Sequence, residues 1–408
     1  MNELQIETSR LRELLPKVAE EELEDVFSYI TWSILCEPGD GLAGMLSQTL
    51  GSSKALKNEL QNASPSVVKG QLLDAGLGSE EINEYGPFES NFQIGRERWR
   101  SRLSFSSVQR AIHSMHNLQG FILTPLSQQW PVQLGDLKFH APMALWVRGN
   151  ESSLISLSNS VAVVGSRGSS KYGDSATETM TTALVGKNLS VVSGGAYGID
   201  AVAHRTALAL KGNTVAVMAG GVDRLYPTGN KDLLNRIIQT GSVLSELPPG
   251  SIPTKWRFLQ RNRLIAALSQ ATLVVEANWR SGALSTVGHA ERLARTVYAV
   301  PGPIDSPKSA GTNKLIADRR AELVVDDTDF LQHLGKIPIS YVAKELPGLG
   351  AFETRVLDAL GYDLLEVSEI CSSAGLTRDE ARLGLSSLQL DGLILRRGSA
   401  WMKTQTTL

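Results

Sequence analysis

The sequence has few of the features that mark secreted, membrane-bound or zinc-binding proteins. Its 408 residues include only two cysteines, Cys36 and Cys371, so neither a disulfide framework nor a cysteine-based zinc site can form within the chain. No apolar run approaches the roughly 18 residues of a membrane span, and the acidic amino terminus lacks the apolar block of a signal peptide. We therefore expect a cytoplasmic protein that does not associate with membranes.

The short motifs of common enzymes are also missing. The sequence contains no G-x-S-x-G elbow, no H-E-x-x-H zinc motif, no G-x-G-x-x-G dinucleotide fingerprint and no P-loop, and its six histidines are scattered. Asp200 and His204, four residues apart, are interpreted as a structural pair on one helix face, and Glu276 as a structural acid in preference to a ribose ligand. These absences disfavour NAD and ATP and give no local support to Ser-His-Asp catalysis or metal hydrolysis, so we expect no cofactor and no metal.

Charge is unevenly distributed along the chain, although the net charge is only −2. Residues 1–90 carry six basic and sixteen acidic side chains, whereas residues 161–330 carry nineteen basic and fourteen acidic ones. An anionic partner would be attracted to the basic middle of the chain. The acidic amino-terminal segment is interpreted as structural.

The hydrophobic pattern divides the chain into regions with different expected folds. Residues 1–115 have the periodicity of a small helical domain, and residues 334–350, which contain several prolines and glycines, are predicted to be a linker. In residues 351–408, three short helices followed by a hairpin around Gly398 predict a winged helix.

Residues 116–333 begin with an extended entry segment and then alternate short valine-rich runs with helix-length stretches, which is the pattern of a parallel βαβ sheet. Strands are predicted at 161–164, 189–192, 214–218, 242–244, 272–275 and 296–300. Helices are predicted at 172–187, 199–211, 230–240, 261–269, 282–294 and 312–320. The predicted fold class is α/β, a Rossmann-like doubly wound parallel sheet with a helical domain before it and a winged helix after it.

Glycine-rich loops follow the first three predicted strands, at the edge where an open parallel sheet binds its ligands. The candidate residues in the first two loops are Ser166, Arg167, Ser193, Gly194, Gly195 and Gly198, and the third loop begins at Ala219. Backbone N–H groups at helix starts favour anionic oxygens, and Arg167 adds a positive charge. One such loop would usually mark only a tight turn, but three in succession predict a phosphate site.

A basic and aromatic segment leads into the start of the fourth predicted helix and contains Lys255, Trp256, Arg257, Phe258, Arg261, Asn262 and Arg263. A single-strand binder needs cations to neutralise phosphates and rings on which bases stack. A solvated basic turn with its rings in the core fits the composition equally well. Asn262 favours the first interpretation slightly, because an amide can bond a phosphate or a base edge. Arg261 and Arg263 are expected at the helix start, pointing to different sides.

The ordered loops resemble those of the DprA (Smf) family of bacterial DNA-processing proteins over roughly residues 120–330. The motifs that carry the resemblance are Gly165-Ser166-Arg167, Ser193–Asp200 with Ala203-His204, Gly220–Asp223, Pro248-Pro249-Gly250, Arg261–Ile265, Ser281–Leu284 and Val300-Pro301-Gly302. Two positions depart from the family pattern: Leu259 stands where proline is usual, and Thr312 where cysteine is frequent.

The resemblance implies an extended Rossmann-type domain that binds single-stranded DNA in a positive pocket, forms a homodimer and loads the RecA recombinase in homologous recombination and natural transformation. It therefore implies a loading factor and not an enzyme. It implies DNA contacts by Arg167, the Ser193–Gly198 loop and Arg261–Arg263, and we add Ser166, Lys255 and Arg257 as further expected contacts. It also implies that the amino-terminal domain is sterile-alpha-motif-like or helix-hairpin-helix-like.

Two other functions stay open at this point. One is an enzyme of related sheet architecture, as in the nucleotide phosphoribohydrolases of the lysine-decarboxylase-like family, which bind a nucleoside monophosphate in a similar pocket and use P-G-G-x-G-T-x-x-E. Neither Ser193–Gly198 nor Ser281–Thr286 is followed by the expected glutamate, so this enzyme function ranks below DNA binding. The third alternative is a sensor that binds a small nucleotide and signals through the winged helix.

Overall fold

The computed structural model describes residues 19, 22–84, 86–334, 351–360, 364–390 and 393–403. The chain divides into two compact units, Met1–Lys336 and Ile337–Leu408. The predicted linker at 334–350 lies outside the described residues except for its first one. The separation of residues 1–115 as a domain of their own stays a prediction.

The first part of the larger unit is helical, as its periodicity predicts. Its helices are α1 (Leu23–Leu35), α2 (Gly41–Leu50), α3 (Ser52–Leu60), α4 (Pro65–Asp74), α5 (Ser79–Ile82), α6 (Phe88–Arg100) and α7 (Phe105–Asn117). Side-chain caps set two of the starts: Asp40 accepts a hydrogen bond from the Ala43 amide, and Ser64 from the Val67 amide. A local core forms around Trp32 and Trp99, whose rings meet edge to face at 5.1 Å.

A nine-stranded sheet follows. Its strands are β1 (Phe121–Leu123), β2 (Leu145–Gly149), β3 (Ser160–Val164), β4 (Ser190–Ser193), β5 (Thr214–Val217), β6 (Ser242–Ser245), β7 (Ala271–Val274), β8 (Thr296–Ala299) and β9 (Glu322–Leu323). Their spatial order is β1-β2-β6-β5-β4-β3-β7-β8-β9. Strands β3 to β9 run parallel, whereas β1 pairs antiparallel with β2 and β2 pairs antiparallel with β6. The Rossmann-like doubly wound sheet is therefore confirmed, and the strand order reverses between β3 and β7.

Helices connect the parallel strands and cover the sheet. They are α8 (Ser152–Ile155), α9 (Lys171–Gly186), α10 (Ile199–Ala209), α11 (Lys231–Thr240), α12 (Lys255–Leu268), α13 (Ala283–Arg292), α14 (Ala310–Ala317) and α15 (Asp327–His333), with 3₁₀ segments at Val132–His140, Ser156–Asn159 and Thr228–Asn230. One predicted start is wrong: α12 begins at Lys255 and not at 261, because the Thr254 hydroxyl accepts from the Arg257 amide and caps the helix there.

Alternate residues of the strands fill two cores on opposite faces of the sheet. On one face, Trp146 of β2 and Val243 of β6 pack with α11 and with apolar side chains of α1 and α7. On the other face, Val147 and Leu244 pack with α12. The segment from α1 to α7, which we call the helical segment, therefore shares a core with the sheet.

The smaller unit is described from residue 351. It contains α16 (Ala351–Ala359), β10 (Leu365–Glu366), α17 (Val367–Ala374), α18 (Arg378–Leu390), β11 (Ile394–Arg397) and β12 (Ala400–Lys403), with the strands in the antiparallel order β10-β12-β11. The expected capping box is present, because Glu380 accepts from the Thr377 amide and Thr377 from the Glu380 amide. The three predicted helices and the predicted hairpin are confirmed. No helix of either unit, over the residues described, has the length and apolarity to cross a membrane.

Candidate nucleic-acid interface

An open cleft of about 790 Å³ lies at the carboxyl ends of β3 and β7, where the strand order reverses. Open α/β sheets bind their ligands at such a point. The loop after β3, the loop after β7 and one side of α12 form its walls, and the polar residues that line it include Ser166, Arg167, Lys255, Arg261, Asn262, Asn278 and Arg280. We call this the main cleft.

Cations and aromatic rings lie next to each other in the main cleft. The Arg167 guanidinium is 5.2 Å from the centre of the Phe258 ring, and the Tyr226 and Phe258 rings are 5.7 Å apart. Arg167, Lys255 and Arg280 are exposed. Such a surface offers positive charge to phosphates and flat apolar faces to bases.

Arg261 forms the floor of the main cleft, and only 6% of it is exposed. Its Nη1 donates hydrogen bonds to the carbonyl oxygen of Gly194, at 2.8 Å, and to that of Val217. Burial lowers the pKa of Arg261 to about 10 against the opposing effect of Asp200, and burial raises the pKa of the Asp200 carboxyl. Arg261 therefore ties the second glycine loop to β5 and balances a buried acid.

The second glycine loop is already occupied from within. Asp200 Oδ2 accepts hydrogen bonds from the amides of Gly194, at 3.1 Å, and Ala196, at 3.3 Å. The Ser193 hydroxyl donates to the Val163 carbonyl, and Ser193, Gly194 and Gly195 are buried. The expectation that this loop offers free N–H groups is wrong for the amides of Gly194 and Ala196, because the carboxylate at the helix start takes the place of an external anion.

Gly198 joins the first two glycine loops. Its φ is +72°, and a Cβ there would lie 2.2 Å from the carbonyl oxygen of Ser166. Only glycine permits this close approach of the two loops.

Arg257 and Arg263, both expected at the DNA, do not line the main cleft. Arg263 is 3% exposed, and its Nη2 donates to both oxygens of Glu246, at 2.6 and 2.7 Å. Arg257 pairs with Glu37 of the helical segment at 2.8 Å. Since residues two apart on a helix point about 200° apart, Arg263 turns away from the face that carries Arg261. Asn262 lines the cleft, and its amide donates to the Gly282 carbonyl at 3.3 Å.

The pairing of Asp200 with His204 is a wrong prediction. His204 Nδ1 lies 2.7 Å from the Thr214 hydroxyl, which itself donates to the Val191 carbonyl, so Nδ1 carries the proton and donates. Burial lowers the pKa of His204 to about 3, which keeps the ring neutral. Glu276 has the structural position expected of it, because it accepts hydrogen bonds from the amide and hydroxyl of Ser170 at the start of α9.

Sequence reasoning missed three residues of the main cleft, Asn278, Arg280 and Tyr226. Asn278 and Arg280 follow β7, and Tyr226 follows β5, so the rule that ligands bind beyond the carboxyl ends of parallel strands contained the signal. In the described part of the chain, no group of three or more His, Cys, Asp or Glu side chains could hold a metal ion.

The fold and the main cleft define a class: a Rossmann-like α/β protein with a basic, aromatic cleft at the switch point of its sheet. Comparison with known proteins identifies the family. The model of the family described as DNA recombination-mediator protein A matches residues 121–335, and the chain belongs to this family of DNA-processing proteins.

Individual relatives agree with this assignment. The chain is 37% identical over 329 residues to the putative DNA processing protein DprA of Mycobacterium tuberculosis, covering 76% of this chain and 84% of the relative. It is 41% identical over 206 residues to the DNA processing protein DprA of Streptococcus pneumoniae, covering 50% and 71%. The X-ray structure of the S. pneumoniae protein superimposes with a TM-score of 0.54 at 34% identity, covering 66% of this chain and 90% of that one.

Proposed function

We propose that the main cleft binds single-stranded DNA and that the protein loads RecA on that strand during homologous recombination and natural transformation. The observation that carries the proposal is the stacking of Arg167 over Phe258 beside Tyr226. A duplex hides the faces of its bases in the stack, whereas a single strand can place them on aromatic rings while its phosphates meet cations.

The roles that we propose for the individual residues follow from their placement. Ser166, Arg167, Lys255 and Arg280 contact the strand, because they line the main cleft and are exposed or half-buried. Arg261 and the Ser193–Gly198 loop support these residues from behind. Arg257 and Arg263 act through the ion pairs that hold α12 in position.

The remaining properties of the protein are proposed from the family resemblance. We infer that it acts as a homodimer in the cytoplasm, where its DNA and RecA are found, and that it is a binding protein and not a catalyst. The smaller unit, with three helices and a three-stranded sheet, supports the assignment of residues 351–408 as a winged helix.

The test is a titration of a labelled single strand and of the matching duplex at several salt concentrations. The wild-type protein should prefer the single strand. Arg167→Ala and Arg280→Ala should each weaken binding to all sequences and reduce the salt slope of log K by about 0.7, the value for one phosphate of a single strand.

The matched control is Arg236→Ala. Arg236 is an exposed arginine of α11. It lies beside Lys211 and Asn213, which come directly before β5, at the amino ends of the parallel strands and therefore away from the main cleft. Its removal should leave affinity and slope unchanged. If Arg167→Ala and Arg280→Ala both behave like this control, the main cleft is not the DNA site.

A further inference from the structure

A second pocket, of about 360 Å³, lies between the helical segment and the first turn of α12. We call it the side pocket. Met45 and Phe88, each 1% exposed, belong to its lining, and so do Trp256, which is 58% exposed, and the exposed Arg98. A pocket of this volume lies within the roughly 300–1,000 Å³ of small-ligand sites.

We propose that the side pocket binds a nucleobase of the same strand that occupies the main cleft. The base stacks on the Trp256 indole over the apolar lining, and Arg98 pairs with a neighbouring phosphate. This inference rests on the proposed function, since it extends the path of the single strand from the main cleft onto the helical segment.

Continuity of the two sites is the first argument. Lys255 lines the main cleft, and Trp256, the next residue, lines the side pocket. The Cα atoms of consecutive residues are about 3.8 Å apart, so the first turn of α12 is a wall common to both sites. A strand that leaves the main cleft past Lys255 reaches Trp256 directly.

Charge is the second argument. Arg98 has no acidic partner among the described ion pairs. Glu37 accepts hydrogen bonds from both Arg102, at 2.6 Å, and Arg257, at 2.8 Å, so two cations share one carboxylate. Partial burial opposes ionisation of Glu37, but these hydrogen bonds outweigh it and lower its pKa. This face of an otherwise acidic segment therefore has a local surplus of positive charge.

Two acids line the side pocket, Glu37, whose carboxylate accepts from Arg102 and Arg257, and Asp40, which is also engaged. Asp40 Oδ1 accepts from the Ala43 amide at 3.2 Å, and its Oδ2 from the Trp99 indole at 2.9 Å. An exposed indole, an apolar lining and an unpaired guanidinium are together the features that a base with its phosphate requires.

The experiment compares strands of about 6 and about 20 nucleotides, because single-strand sites cover roughly 4–16 nucleotides. Trp256→Ala should weaken binding of the long strand by about 5- to 150-fold, the loss typical of one stacked base, and leave the short strand unchanged. Trp256→Phe should restore most of the loss. Arg98→Ala should lower the salt slope for the long strand by about 0.7, while Lys54→Ala, which removes an exposed charge of α3, should not.

Two results would overturn the inference in distinguishable ways. If Trp256→Ala and Arg98→Ala bind both strands like the wild type while Arg167→Ala weakens both, the proposed function stands and the side pocket has no part in it. If the wild type binds neither strand, the proposed function fails as well. A 2-aminopurine base in the long strand gives a second readout, because its fluorescence should be quenched by stacking in the wild type and in Trp256→Phe but not in Trp256→Ala.

Discussion

Replacing Arg261 by alanine should unfold the main cleft and not merely remove one phosphate contact. The guanidinium donates to the Gly194 and Val217 carbonyls and lies beside the buried Asp200 carboxyl. In Arg261→Ala these two carbonyls lose their donor, and Asp200 is left buried without its cation.

The expected size of the effect comes from the burial of the groups that Arg261 contacts. Leaving a buried hydrogen-bonding group without its partner typically costs about 1–3 kcal/mol, and more where a charge is left buried, whereas an exposed side chain such as Arg167 changes stability by less than about 0.5 kcal/mol. Because two carbonyls and the Asp200 carboxyl are affected together, Arg261→Ala should cost about 3 kcal/mol or more, which is at least about a fifth of a domain stability of about 5–15 kcal/mol. Asp200→Asn in the same chain should recover part of the loss, because it removes the unpaired charge.

The assay is urea unfolding followed by tryptophan fluorescence, which reports mainly on the larger unit because six of the seven tryptophans precede residue 337. Arg167→Ala is the matched control, since it removes an arginine of the same cleft that is exposed. Arg261→Ala should unfold at a clearly lower urea concentration, and Arg167→Ala at the wild-type one. An unfolding free energy of Arg261→Ala within about 0.5 kcal/mol of the wild type would show that Arg261 is not structural.

Two further results are expected. Gly198→Ala should destabilise the larger unit by at least about 1–3 kcal/mol and weaken single-strand binding, because a Cβ would lie 2.2 Å from the Ser166 carbonyl oxygen. The control is Gly168→Ala, at a position with open space around it, and equal urea unfolding of the two variants would contradict this. The second result concerns pH. Below pH 6.5 the unfolded chain takes up a proton at His204, whereas the folded chain, in which the pKa of His204 is about 3, does not, so stability should fall by about 1.4 kcal/mol per pH unit. His204→Asn should flatten this slope, and an equal slope in both proteins would refute the assignment.

The sheet could be predicted from the sequence because its parallel strands are buried on both faces. Such strands need continuous apolar runs, and the six valine-rich runs therefore marked β3 to β8. The pattern also placed the glycine loops at the carboxyl edge. The edge strands β1 and β9 were not predicted in this way, because three and two residues leave little periodicity.

The arginines of α12 could not be sorted by sequence alone. Helix α12 begins at Lys255 because Thr254 caps it there. The prediction placed the start at 261 because it interpreted the cations before that residue as part of a turn. The partner of Arg263 is Glu246, which lies seventeen residues earlier and directly after β6, so only the tertiary fold brings the two side chains together. By contrast, Asp200 lies within the loop motif itself, and an acid in the first turn after a glycine loop competes for the amides that a phosphate would use.

Helices α1 and α7 pack on one face of the sheet through a common core, so the helical segment forms an additional layer of the larger unit. Trp146 and Val243 are fully buried in a cluster to which α1 and α7 contribute apolar side chains. Because unfolding either region would expose the apolar side chains of this common core to water, the two regions should unfold together, in one calorimetric transition. If that single transition is observed, the change of sequence character near residue 120 marks a change of secondary structure within one cooperative body, and not a domain boundary.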